Sequence, residues 1–159
     1  MAEKGGKGAV AAAGPGRAPA VARLVHAVVC EEGGMPLAPP DPSAPCVLEA
    51  LRDGRSVGGL LLDPERDCAR VSWWAVERSE RGAGLGRQLL KQAEEWCVAN
   101  GIARLSVRAF VSVPSAVRLL WTCGFAVASL DVAEVGGRSL EILWFEKAVS
   151  ARAPARRGR

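Results

Sequence analysis

The sequence predicts a mixed α/β domain: an antiparallel meander, one parallel β-α-β step, a second helix and a closing hairpin. Three observations carry that prediction. Short apolar runs between Cys46 and Val76 are separated by turn residues at Asp53-Gly54 and from Asp63 to Asp67, the punctuation of consecutive antiparallel strands. Leu85, Leu89, Leu90, Ala93, Trp96 and Cys97 then recur at helical spacing directly after a glycine-rich loop. Near the end, Phe125 to Val132 and Leu140 to Lys147 flank Gly136-Gly137, the strongest hairpin turn in the chain.

Taken in order, residues 1–20 are rich in glycine, alanine and proline with scattered Lys and Arg. Such a stretch buries too little apolar surface to fold, so a disordered tail is expected. Val21 to Cys30 is valine-rich and reads as a strand. Prolines at 36, 39, 40, 42 and 45 make the following segment a loop, because each one removes a backbone donor and fixes φ. Cys46 to Leu51, Ser56 to Leu62 and Ala69 to Val76 are the three strands of the meander. The helix beginning at Leu85 turns Arg87, Gln88, Lys91, Gln92, Glu94 and Glu95 outward and stops at Asn100-Gly101. Ile102 to Phe110 alternates as a strand, and Ser115 to Cys123 forms a short helix closed by Gly124. The domain is expected over residues 21–148, best supported from Cys46 on, with 149–159 a basic disordered tail.

Composition narrows the function classes. The five cysteines at 30, 46, 68, 97 and 123 are odd in number and form no C-x-x-C pair, which speaks against a disulfide framework and a zinc site. One histidine, His26, leaves no material for a histidine-based metal cluster or a Ser-His-Asp triad. No metal is therefore expected. No apolar run reaches the roughly 20 residues that span a bilayer, and Gly8 to Ala13 is too short for a secretory core. A cytoplasmic protein with no membrane partner is expected, although the Ala-rich, Lys/Arg-bearing start leaves organelle targeting open. Four arginines in the last eight residues are a solvated tail first and a nucleic-acid contact second.

The stretch with chemistry in it is Arg81-Gly82-Ala83-Gly84-Leu85-Gly86, between a strand and a helix. In that arrangement free backbone N–H groups and the helix dipole attract an anion, and glycines let a phosphate come close. A P-loop needs a Lys-Ser/Thr that is absent. A dinucleotide fingerprint needs G-x-G-x-x-G straight after the strand and an acidic residue about 20 positions on. Here Glu77 to Arg81 intervene and the spacing is G-x-G-x-G.

The loop instead resembles the Q/R-x-x-G-x-G/A loop of the GNAT superfamily of acyl-CoA-dependent N-acetyltransferases. Val76 followed by Glu80-Arg81 is similar to that family's V-x-P-x-x-R approach, with Arg78 in the proline position. Ala116 and Leu119, ending in Gly124-Phe125, resemble its A-x-x-L helix and G-F turn. The order of elements from Cys46 to Lys147 matches as well. The resemblance implies a GNAT-like mixed sheet, an antiparallel meander followed by β-α-β-α-β-β, and acetyl-CoA as cosubstrate with an amine acceptor. It implies that loop and helix residues Gly82, Ala83, Gly84, Leu85 and Gly86 hold the pyrophosphate, with Arg81 and Arg87 adding charge. It also implies that Trp74, Ala75 and Val76 offer backbone groups to pantetheine and the acetyl carbonyl.

Three departures accompany it. The family's frequent tyrosine acid falls on Leu120, in a chain without tyrosine, and its helix-opening asparagine falls on Val113. Ser115, Thr122 and Cys123 are the substitutes at hand. No base stands out among Asp67, Arg70, Ser72 and Glu77, so no catalytic acid or base is assigned. Finally, the family places two helices between its first two strands, where this chain offers only the proline-rich loop, so the N-terminal part is expected to be reduced. The expected function is acetyl transfer to an amine by direct attack. The alternatives are a non-catalytic acyl-CoA-binding or regulatory module, and a basic-tailed interaction protein with a structural glycine loop.

Overall fold

The computed structural model describes residues 8–34 and 36–149. Seven strands form one sheet in the order β1-β2-β3-β4-β5-β7-β6. They are β1 (Gly8–Ala12), β2 (Cys46–Arg52), β3 (Arg55–Glu65), β4 (Cys68–Val76), β5 (Arg104–Phe110), β6 (Ala126–Val135) and β7 (Arg138–Ala148). All neighbours are antiparallel except β4 and β5. The mixed sheet with its meander and single parallel step is the predicted one. Both hairpin turns also match: Asp53-Gly54 and Gly136-Gly137 have positive φ at both central positions, as a two-residue turn between right-twisted strands requires.

Two layers of helix cover this sheet. α1 (Ala18–Gly33) packs on one face with Leu61, Trp73, Ala75, Phe110, Ile142 and Trp144. α2 (Leu85–Ala99) and α3 (Pro114–Thr122) lie on the other, over Leu48, Leu60, Leu62, Val71, Leu105 and Phe145. The inward residues of α2, Leu85, Leu89, Leu90, Ala93 and Cys97, are all buried. Each leucine so placed contributes about 1.5–3 kcal/mol of transfer free energy. Glu94, read from spacing as an outward residue, instead pairs with Lys147 of β7 at 2.5 Å. No helix among the described residues is long and apolar enough to cross a membrane.

The structure corrects the sequence reading in three places. Val21 to Cys30 is helix, not strand. Its buried residues Ala18, Val21, Ala22, Val25 and Val29 follow helical spacing, and burial of that stripe overrides the β preference of valine. Pro19 in the first turn and Gly34 at φ 63° mark its two ends.

Second, residues 8–20 are not a disordered tail. β1 pairs with β2 from Gly8↔Arg52 to Ala12↔Leu48, held by backbone hydrogen bonds that need little side-chain burial. Arg17, just before α1, reaches Glu49 of β2 at 2.8 Å. That carboxylate is only 3% exposed and also accepts from Ser56 Oγ at 2.7 Å. Residues 1–7 and 150–159 lie outside the described residues.

Third, Val149, one residue past the expected domain limit, is buried and its N–H donates to Ala103 O at 2.9 Å. The N-terminal part is also less reduced than expected. One long helix and the proline-rich loop stand where the resemblance implies two helices. His26 Nε2 lies 2.7 Å from Leu37 O, tying that loop to α1. Close packing of α1 depends on Gly59, where a Cβ would collide with Val21 and lie 2.9 Å from Leu48 O.

Candidate active site

The site begins where two strands part. β4 and β5 are paired from Cys68↔Arg104 to Val71↔Val107 and no further, yet they continue to Val76 and Phe110. A bulge initiates the parting. Leu61 pairs with Trp73 and Leu62 with Val71, which leaves Ser72 as an extra residue in β4. A bulge bends its strand and shifts the alternation of faces by one. Ala69 and Val71 accordingly share a face with Trp74 and Val76, while Trp73 and Ala75 face α1. Across the gap, the Trp74 indole N–H donates to Arg108 O at 2.8 Å.

Beyond β4 the chain turns through Arg78–Glu80 into the glycine loop. Arg81 Nε donates to Val76 O at 2.9 Å, and Arg81 also pairs with Glu32 of α1. This arginine is therefore a strut joining strand, loop and helix rather than a free surface cation. Gly82 and Gly84 have φ of 83° and 84°, and a Cβ on either would meet nothing within 4 Å. Their left-handed backbone shapes the loop and keeps its outer surface open. Gly84 is the N-cap of α2 and no side chain caps that end. The first-turn N–H groups of α2, which have no partner within the helix, thus open toward the loop's concave side. Gly86 has a different duty: a Cβ there would lie 2.9 Å from Leu119 Cδ2, so it sets the approach of α2 to α3.

Loop and splay share one cavity of about 440 Å³. Nine of the ten residues singled out from the sequence line it: Trp74, Ala75, Val76, Arg81, Gly82, Gly84, Leu85, Gly86 and Arg87. Ala83 does not. Arg87 Nη2 also donates weakly to Thr122 Oγ1 at 3.4 Å.

Most of the weighed acid and base candidates are elsewhere. Leu120, at the tyrosine position, is fully buried. Thr122 Oγ donates to Leu119 O at 2.9 Å, and Cys123 O accepts from Lys147. Glu77 pairs with Arg55, Asp67 with Arg104, and Arg70 with Glu65 while stacking on Trp144. Ser72 and Ser115 do line the cavity.

Sequence reasoning missed the residues on the α1 side: Val29, Glu32, Glu80, Arg108 and Phe110 all line the cavity. Both carboxylates are held by arginines, Glu32 by Arg81 and Glu80 by Arg52 at 3.1 Å and Arg55 at 3.6 Å. The signal for Arg108 was available as a lone charge inside the apolar run Leu105 to Phe110. The signal for Val29 and Glu32 was lost with α1. The buried thiols play no part in the cavity; burial pushes Cys46 up to about 11 and Cys97 to about 12.

The uncapped N-terminus of α2, the glycine loop and the splayed parallel strand pair line one cavity of this α/β domain. The sequence model of the acetyltransferase (GNAT) family matches residues 26–125. The chain belongs to that family. Its fold is similar to the ribosomal-protein-S18-alanine N-acetyltransferase of Escherichia coli, at 15% identity over 94% of this chain and 98% of that one, TM-score 0.74. It is also similar to yncA of Salmonella typhimurium, solved with its cofactor acetyl-CoA, at 18% identity over 92% and 96%, TM-score 0.73. A third likeness is the ribosomal-protein-alanine N-acetyltransferase of Brucella melitensis, at 21% identity over 88% and 99%, TM-score 0.70. A search of curated proteins by sequence finds no significant match.

Proposed function

We propose that this chain is an acyltransferase that moves acetyl from acetyl-CoA to an amine by direct attack. The observation that carries this reading is the continuity of the cradle at Gly82 and Gly84 with a cavity that crosses the sheet between β4 and β5. A diphosphate with a long uncharged arm fits such a space. The loop amides and the α2 N-terminus would hold the diphosphate, with open volume where a Cβ would otherwise stand. The arm would run along the unpaired edge of β4 from Trp74 to Val76. Glu77 N–H donates to Val57 O of β3, so the alternation of the ladder turns Ala75 toward β3 and Trp74 and Val76 toward the gap. With the Val76 carbonyl engaged by Arg81, the Trp74 backbone groups and the Val76 N–H are the ones left for the arm's amides.

In the reaction the neutral amine attacks the thioester carbonyl, the C–N bond forms and the C–S bond breaks. The sulfur leaves as thiolate and takes a proton; the nitrogen loses one. A thiol with pKa near 8.5 is a tolerable leaving group without an acid, and a general acid adds about 10²–10⁴-fold where present. With both cavity carboxylates bound to arginines and Leu120 in the tyrosine position, positioning supplies much of the rate. The rate should therefore rise steadily from neutral toward alkaline pH as the amine deprotonates. A bell-shaped profile with its maximum near pH 7 would contradict this.

Those same features favour one other reading, a non-catalytic acyl-CoA-binding module. Thiol release from acetyl-CoA over a panel of amines separates the two: release that depends on the amine supports transfer, and tight binding without release supports the module. The five cysteines, free of disulfides, suit a reducing compartment such as the cytoplasm.

A further inference from the structure

Among the described residues of the cavity, Arg108 is the charged side chain with a buried nitrogen and no partner; Arg87 is exposed and donates to Thr122 Oγ1 at 3.4 Å. Glu32 and Glu80 have arginine partners, and Arg81 has both Glu32 and a backbone carbonyl. Arg108 has neither. Its guanidinium lies 5.4 Å from the Trp73 ring and 5.3 Å from that of Phe110, on the α1 face of the sheet. Its Nε is buried with no hydrogen-bond partner, and it forms no ion pair among the described residues. Burial holds its pKa below the ordinary arginine value, but a guanidinium stays charged at any working pH. A half-buried cation walled by two aromatic rings, with its Nε shut off from water and no counter-charge among the described residues, is costly to keep. That cost falls when an anion binds.

Resting on the acetyltransferase reading above, we propose that Arg108 receives the carboxylate of the acceptor. The acceptor is then an amine that carries its own carboxylate, of the amino-acid type, and not a simple alkylamine or a polyamine. The planar fork of arginine suits a carboxylate in two parallel hydrogen bonds, and the aromatic walls strengthen the pair by excluding water. A polyamine would bring a second cation against Arg108, which selects against it. Position fits as well. The Arg108 carbonyl is bridged to the Trp74 indole across the splay, so its side chain starts beside the gap through which the acyl group would be presented. A carboxylate held there leaves an adjacent amine facing the gap.

The test is equilibrium binding in the presence of CoA, with N-acetyl amino acids compared with their matched N-acetyl amino-acid amides. Wild-type protein should bind the acids about tenfold or more tightly than the amides, as loss of a hydrogen-bonded charge implies. Arg108→Gln should bring that ratio to about one, Arg108→Lys should restore part of it, and both should keep acetyl-CoA affinity within about twofold. Equal binding of acid and amide by wild type, or binding of neither at millimolar concentration, would overturn the proposal while leaving the acetyltransferase reading standing. A large loss of CoA affinity in Arg108→Gln would overturn it too, by assigning the guanidinium to a cofactor phosphate. Absence of CoA binding by wild type would remove the acetyltransferase reading and this proposal together.

Discussion

The two ends of the cavity are made of different material. On the α2 face the cradle is backbone: Gly82 and Gly84 at positive φ and the uncapped first turn of α2. On the α1 face the wall is side chain: Arg108, Phe110, Glu32 and Val29, brought in from β5 and α1. A backbone cradle depends on a few contiguous glycines and binds one kind of group. A side-chain wall depends on which distant elements meet, and can change substrate without changing the fold.

Substitutions at the two ends should therefore fail differently. The largest effect is expected from Gly84→Asp. It places a carboxylate in the open volume where the diphosphate would lie and should weaken acetyl-CoA binding by about 10²-fold or more, read by titration. The φ of 84° adds strain of about 1–3 kcal/mol, offset in part by the helix dipole at about 0.3–1 kcal/mol. Unliganded stability should then fall modestly compared with the loss of binding. Glu95→Asp, exposed on the same helix, should leave both unchanged.

An intermediate effect is expected from Glu32→Gln, because Glu32 is the contact between the two ends. Without its charge Arg81 keeps only the Val76 carbonyl. KM for acetyl-CoA should rise about threefold to tenfold, in line with the roughly 1 kcal/mol of a partly exposed ion pair. An unchanged KM in steady-state kinetics would mean that the strut does not set the loop.

Arg17→Ala tests the same boundary from the side of stability. It leaves the buried Glu49 carboxylate with Ser56 alone and should cost about 1–3 kcal/mol in denaturant unfolding. No change would return residues 8–17 to the status of a tail.

The thiols belong to neither end and act on stability only at alkaline pH. Cys46 and Cys97 are raised to about 11 and about 12 by burial. The unfolded chain ionises first, so it binds fewer protons than the folded one above about pH 9. Stability should be level below that pH and decline between about 9 and 12. A decline that sets in below pH 8 would need another group.

The same division decides what the sequence made legible. The meander, the helix after the loop and the closing hairpin follow from local patterns, and the structure has them with ends moved by up to three residues: β3 runs on through Asp63-Pro64 to Glu65, so its turn falls later than expected. The loop residues were found because a glycine cradle is contiguous in sequence. The two elements within residues 8–34 were not, although the proline-rich loop after them was. β1 is held by backbone pairing that composition does not reveal, and the valines of α1 conceal its helical stripe, although Pro19 and Gly34 mark its ends. Arg108 was visible as a lone charge in an apolar run, but its surroundings depend on a parallel neighbour and on the bulge at Ser72, neither of which is local.

The account's central claim is that the glycine loop holds a diphosphate, and it is tested most directly by comparing two ligands. CoA and pantetheine share the uncharged arm and differ in the nucleotide diphosphate. Calorimetric titration should give CoA an affinity at least about 10²-fold above that of pantetheine for wild-type protein, with the difference lost in Gly84→Asp. Equal affinities for the two ligands, or a difference that survives Gly84→Asp, would contradict the claim.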